Sequence, residues 1–190
     1  MSIMLCRHGR TEWNKQLKIQ GSLNSPLLQE SKAELPMLKK YVWHCDRFYC
    51  SELERAFESA NIAGLDVTTV PELNEIDHGD YEGKYALDIK ELYKRIPRDW
   101  NLRWPNGESY NDVKDRVGRF LRRLDDSEEV FIMAHEVINK VALHILLGTD
   151  EIEAGQVRQP NNFIYRIDDG ATAIDYTTGR EYKGMVFRTY

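Results

Sequence analysis

Short apolar runs alternate along this chain with amphipathic stretches. Ile3–Cys6, Arg47-Phe48-Tyr49-Cys50, Val67–Val70 and Val130–Ala134 are too brief for helices and read as strands. Between them, apolar residues recur at helical spacing. Leu35, Leu38 and Val42 mark one helix, which Pro36 either kinks or opens. Leu53, Ala56, Ala60 and Ala63 mark another, with Ser51 and Glu54 as its capping box. Lys84 to Trp104 reads as a helical insertion with Leu87, Leu92 and Ile96 as core candidates. After a turn at Pro105-Asn106-Gly107-Glu108, Ser109 caps a helix whose stripe is Val113, Val117, Phe120, Leu121 and Leu124. Arg116, Arg119, Arg122 and Arg123 lie off that stripe and read as a solvated face. Ile138, Val141, Ala142, Ile145 and Leu146 mark the last helix, ended by Gly148. Asn161–Ile167 and Ala171–Tyr176 alternate like strands at a sheet edge, joined as a hairpin through Asp169-Gly170. Arg180 to Tyr190 carries no functional reading.

This alternation predicts an α/β fold, a three-layer α/β/α sandwich whose central sheet is mostly parallel with an antiparallel edge strand. One domain over residues 1–190 is expected, with the helical insertion at about 84–108, because no linker rich in Pro, Gly or Ser interrupts the chain.

Composition narrows the classes. With 42% of its residues apolar, the 190-residue chain has the material for a sizeable core. A net charge of −5 argues against a nucleic-acid surface. No apolar run is long enough to span a bilayer. The first residues lack the basic region and apolar core of a signal peptide, so a cytoplasmic location is expected. Cys6, Cys45 and Cys50, an odd count without paired spacing, fit reduced structural thiols there.

The candidate chemistry lies where strands stop. The first strand runs straight into Arg7-His8-Gly9. In open parallel sheets the carboxyl edge of the strands is where ligands bind. Arg7 offers a forked grip on an anion. His8 offers a nucleophile, base or ligand near neutral pH. Arg55 follows another strand end and falls in the first turn of a helix, where an anion is already favoured. His135 stands at a third strand end and opens a helix. A lone residue of this kind is usually structural, but two strand-end histidines with two arginines point to an anion site. The run from Glu72 to Gly83 is dense in carboxylates, and by itself such a loop is usually solvated.

Arg7-His8-Gly9, Thr11, Trp13 and Asn14 together resemble the signature of the histidine phosphatase superfamily, the group that includes phosphoglycerate mutases. Further segments resemble that family in its order. Gln20-Gly21-Ser22-Leu23-Asn24 is similar to its loop beside the substrate, and Ser51-x-Leu53-x-Arg55-Ala56 to its second motif. Leu73-x-Glu75 with Gly79, Glu82 and Gly83 is similar to its acid loop. The resemblance implies that His8 is phosphorylated during turnover and that Glu75 protonates the leaving oxygen, with Asp77 the weaker candidate. It implies that His135 helps surround the phosphoryl group. Arg7, Asn14, Gln20, Gly21 and Arg55 become the expected substrate contacts. His78 matches no family role and reads as structural. The implied activity is hydrolysis of a small phosphorylated metabolite without metal or cofactor, and with no membrane or nucleic-acid partner. Trp100, Arg103 and Trp104 fall where the family covers its pocket, although aromatic packing in a core explains the tryptophans equally well.

Four departures from the pattern stand out. Ser31 replaces a glycine at a helix entrance, Ala134 replaces a serine, Glu136 replaces a glycine, and Lys140 stands near the usual arginine. Glu136 either faces the pocket or, as the preferred reading, turns away as a helix-start acid. Alternatives stay open at this point. A mutase would use the same residues, although mutases of the family are typically longer. A phospho-ligand binder without turnover is kept open by Glu136. A zinc hydrolase built on His8, His135, Glu75 and Asp77 is opposed by Arg7 and Arg55, cations that repel a metal ion.

Overall fold

The computed structural model describes residues 2–183. The elements in chain order are β1 (Ser2–Arg7), α1 (Glu12–Gln16), α2 (Gln29–Glu34), α3 (Lys39–Val42), β2 (Arg47–Cys50), α4 (Glu54–Ile62) and β3 (Thr68–Thr69). They continue with α5 (Lys90–Arg95), α6 (Tyr110–Leu121), β4 (Glu129–Ala134), α7 (Glu136–Leu147), α8 (Glu151–Gln156), β5 (Phe163–Ile167), β6 (Ala171–Asp175) and β7 (Arg180–Lys183). The strands form one sheet in the order β3-β2-β4-β1-β5-β6-β7. Pairing is parallel from β3 to β1 and antiparallel from β1 to β7.

Side chains alternate across the sheet and build a core on each face. Ile3, Leu5, Val130, Ile132 and Tyr165 join the larger core with α6 and α7. Met4, Cys6, Phe131, Met133 and Ile164 join the other core with Leu35, Leu38 and the alanines of α4. The α/β/α sandwich follows from this two-sided burial. A fully buried Phe or Ile in β4 contributes roughly 1.5–3 kcal/mol.

Register positions the site. Arg7 pairs with Ala134, and Cys50 pairs with Met133, so β1, β4 and β2 end side by side. The next residues, His8, His135 and Ser51, therefore meet at one edge of the sheet.

Several expectations are corrected. The helix around Pro36 is broken into α2, a 3-10 turn from Leu35 to Leu38, and α3, with the proline at the start of the tight turn. The Val67–Val70 strand shrinks to the exposed pair Thr68–Thr69. The insertion is one short helix, α5, between 3-10 turns at Ala86–Ile89 and Ile96–Arg98. Leu87, expected in the core, is 69% exposed. The antiparallel edge holds three strands, because β7 adds to the expected hairpin. Residues 184–190 of that unread tail lie outside the described residues. Cys6, Cys45 and Cys50 are buried free thiols.

Candidate active site

The carboxyl edge of β1 opens into a cavity of about 350 Å³. Arg7, His8, Asn14, Gln20, Gly21, Arg55 and Glu75 all line it. His135 does not. It is fully buried behind His8, with the two ring centres 5.1 Å apart. Of the expected site residues, it is the one the fold holds off the wall.

His8 is held on both sides. Its backbone N–H donates to Ala134 O at 3.0 Å, extending the β1–β4 ladder by one bond. Its Nδ1 lies 2.8 Å from the Gly9 carbonyl. A carbonyl only accepts, so Nδ1 carries the ring hydrogen and Nε2 keeps its lone pair. Arg55 Nε–H donates to that Nε2 at 3.3 Å, consistent with the same tautomer. Burial, then the charges of Arg55 and Arg7, lowers the His8 pKa well below 6.5. The ring is neutral at ordinary pH. Gly9 is needed because a Cβ there would press on Leu35 Cδ1 at 3.2 Å and Ser31 Cβ at 3.3 Å. The glycine N–H instead donates to Ser59 Oγ at 2.9 Å.

Arg55 is 1% exposed. It donates to Gly21 O at 2.7 Å, Leu23 O at 2.8 Å and Asn24 Oδ1 at 3.2 Å, clamping that loop over the site. Burial pushes its pKa down to about 10, which leaves it charged at neutral pH. Gly21 has φ +55°, and a Cβ there would run into the Glu82 carboxylate. Glu82 bridges the two loops, accepting from Ser22 N and Ser22 Oγ at 2.7 Å each and from His78 N at 3.3 Å.

Ser51 does not cap its helix as the sequence pattern suggests. The cap position of α4 is Leu53, without a side-chain bond. The Ser51 hydroxyl donates to Asn74 Oδ1 at 2.8 Å and takes His135 Nε2–H at 2.8 Å. That oxygen assignment holds because Asn74 Oδ1 also accepts from Glu52 N–H. Arg55 still falls in the first turn, so the anion-facing placement is kept.

The acid loop is held by a residue expected on a solvated face. Arg116 donates to the carbonyls of Glu72 and Asn74 at 2.7 Å each and to Glu75 O at 3.3 Å. It also pairs with Glu108, whose carboxylate accepts from Asp77 N at 3.0 Å. This fixes Glu75 on the cavity wall. Glu75 Oε1 accepts from Ile76 N at 3.0 Å and Val137 N at 3.3 Å, yet burial outweighs these bonds and the nearby arginines and raises its pKa above 4.5. Asp77 does not line the cavity and instead accepts from Gly79 N at 2.7 Å. His78 does line the cavity, its ring 4.7 Å from Trp104, and burial drives it down to about 3.

Glu136 faces the cavity, against the preferred reading of it as an outward helix-start acid. It pairs with Arg7 at 3.0 Å and with Lys140 at 2.8 Å. Burial favours its neutral form, but Lys140 and Arg7 outweigh that and hold it at about 2. Trp104 is a cavity wall, whereas Trp100 packs in the core against Tyr110 and His144. Arg103 turns outward to Gly107 O and Asp112. Asn14 both lines the cavity and caps α1, its Oδ1 accepting from Thr11 N at 3.1 Å. Sequence reasoning missed Asn161, which donates to His8 O at 2.7 Å, and gave no role to Arg10 and Lys18, which line the mouth. Arg10 lies inside the first motif and was within reach; Asn161 carries no local signal.

Three buried neutral histidines make stability sensitive to acid. Burial is the leading cause that lowers His8, His135 and His78. As pH falls below 6.5, the unfolded chain binds protons that the folded chain refuses, so stability falls. Each histidine contributes up to about 1.4 kcal/mol per pH unit. Glu75, raised above 4.5, acts with the opposite sign, since its contribution is lost as pH rises. Three histidines outweigh one carboxyl. The melting temperature should drop steadily from about pH 7 to about pH 5. A flat profile would mean that the folded chain accepts those protons.

The geometry has counterparts. A family model described as the histidine phosphatase superfamily, branch 1, matches residues 3–175. The adenosylcobalamin/alpha-ribazole phosphatase of Salmonella typhimurium is 34% identical over 161 residues, covering 77% of this chain and 80% of that protein. Phosphoserine phosphatase 1 of Hydrogenobacter thermophilus is 30% identical over 164 residues, covering 79% and 78%. The crystal structure of a phosphoglycerate mutase from Thermus thermophilus superposes with a TM-score of 0.72 at 29% identity, covering 88% of this chain and 93% of that one. With His8, the buried Arg55 and Glu75 lining one cavity and His135 packed behind His8, this chain belongs to the histidine phosphatase superfamily.

Proposed function

We propose that this chain is a phosphomonoester hydrolase that works through a phosphohistidine at His8 on a small phosphorylated metabolite, without a metal ion. One observation carries the reading. His8 Nε2 carries the lone pair of a cavity-lining ring and meets Arg55 Nε–H at 3.3 Å, and Glu75, whose pKa is raised, lines the same cavity. The lone pair attacks phosphorus in line, and the bond to the leaving oxygen breaks. Glu75, whose acid form burial favours, gives its proton to that oxygen. The resulting carboxylate then takes a proton from water, which attacks phosphorus and breaks the N–P bond. Inorganic phosphate leaves and His8 is restored. Arg7 and Arg55 stabilise the charge on the non-bridging oxygens. His135 packs behind the His8 ring, 5.1 Å between ring centres, and stands off the cavity wall. The cations around His8 do the charge work and would repel a metal ion at this place.

Nitrophenyl phosphate tests the reading. Turnover should persist in excess chelator, with inorganic phosphate released in step with nitrophenolate. Activity lost on chelation and restored by zinc would overturn the metal-free mechanism. Nitrophenolate release that needs an added hydroxyl acceptor and frees no phosphate would mean transfer, as in a mutase.

A further inference from the structure

The cavity holds more positive charge than one phosphate requires. Arg7, Arg10, Lys18, Arg55 and Lys140 line it, against the carboxylates Glu75 and Glu136. Burial keeps Glu75 protonated to higher pH than an ordinary glutamate. Glu136 neutralises part of Arg7 and Lys140, at 3.0 Å and 2.8 Å. Arg55 is engaged with loop carbonyls and with His8. Arg10 and Lys18 are left. Among the described residues neither has a carboxylate in ion-pair reach.

Both are held at the mouth. The Arg10 backbone is pinned on both sides, its N–H donating to Ser31 Oγ at 2.9 Å and its carbonyl accepting from Leu28 N at 2.8 Å. Its side chain is exposed and lines the opening. Lys18 Nζ lies 4.9 Å from the Tyr85 ring centre and 5.6 Å from that of Trp13, which restrains the ammonium without neutralising it. Both line the same cavity as His8, and all of a phosphomonoester beyond its phosphate is the leaving group, so a second anion bound by this pair belongs to the leaving group. Unpaired cations lining a concave mouth attract and hold an anion.

We propose that Arg10 and Lys18 form a second anion subsite, and that the preferred substrate is a phosphomonoester whose leaving group carries a carboxylate or a second phosphate. This deepens the phosphatase reading and rests on it. A substrate ammonium is disfavoured, because Glu136, the carboxylate that would receive it, already has two cations.

The test compares 4-carboxyphenyl phosphate with 4-carbamoylphenyl phosphate, which match in size and differ in charge. Wild-type kcat/KM should favour the carboxylate on the order of tenfold, as two partly exposed charge pairs allow. The preference should shrink with added salt. In Arg10→Gln/Lys18→Gln the ratio should fall towards one. A wild-type ratio of one, a ratio undiminished in the double variant, or a preference for 4-(aminomethyl)phenyl phosphate overturns the proposal. A third arm, 1,4-phenylene bisphosphate, tells a second phosphate from a carboxylate by which of the two gains more from the pair. If nothing is hydrolysed, the phosphatase reading fails separately. Calorimetric binding of the first two compounds then decides: tighter binding of the carboxylate by wild type alone supports the subsite, and equal or absent binding overturns it.

Discussion

His8→Ala should lower kcat/KM for an aryl phosphate by about four orders of magnitude or more, the usual scale for loss of a covalent nucleophile. The reason is specific to the Nε2 atom. Nδ1 is spent on the Gly9 carbonyl at 2.8 Å, so the ring of this cavity-lining residue offers one lone pair, on Nε2, which Arg55 Nε–H meets at 3.3 Å. Alanine leaves Arg7 and Arg55 in place, so substrate binding should survive while chemistry stops. A wild-type sample quenched during turnover of labelled substrate should hold an acid-labile, base-stable phosphoprotein, and the variant should hold none. Label on a carboxylate or a serine would assign the nucleophile elsewhere. A thermal melt of the variant separates lost chemistry from lost folding.

The strand-end residues were legible because short apolar runs stop abruptly against them. Ile3–Cys6 and Val130–Ala134 end at His8 and His135, and parallel pairing then brings the two rings within 5.1 Å. β7 was not legible. Arg180–Lys183 is a mostly exposed edge strand without apolar alternation, held by pairing with β6 and by Tyr182 alone packing on Phe163. Arg116 was misread for a related reason. A charge on a helix normally means solvent, and its partners are main-chain carbonyls more than forty residues away. Ser51 satisfied a local pattern, Ser-x-x-Glu, but Asn74 and His135 claim its hydroxyl, and both are distant in sequence. Glu136 shows the same limit. Its position at a helix start was clear, while its direction depends on Arg7 from β1 and Lys140 one turn on. Local periodicity places elements well, whereas polar side chains go where distant partners satisfy them.

Glu75→Gln should divide substrates by leaving group. For an alkyl phosphate, whose alkoxide is a poor leaving group, the rate should fall by about 10²–10⁴, the range of general acid catalysis. For nitrophenyl phosphate the first step needs little protonation and should lose far less, so release of nitrophenolate continues while hydrolysis of the phosphohistidine slows. The expected signature is a burst of nitrophenolate equal to the enzyme concentration, followed by a slow steady state. The geometry supports one residue in both steps. Glu75 is fixed by Arg116 at its backbone and by Ile76 N and Val137 N at its carboxyl, so the variant amide can keep the same place. Burial raises the carboxyl above 4.5, so its acid form persists further towards neutral pH than in an exposed glutamate. Wild-type turnover of the alkyl phosphate should therefore fall as pH rises through that raised value, and the fall should vanish in the variant. Equal losses on both substrates, with no burst, would remove Glu75 from proton transfer. Asp77 is no substitute, since its carboxylate is bound to Gly79 N away from the cavity. The next group to test would be His78, the remaining titratable side chain on that loop that lines the cavity.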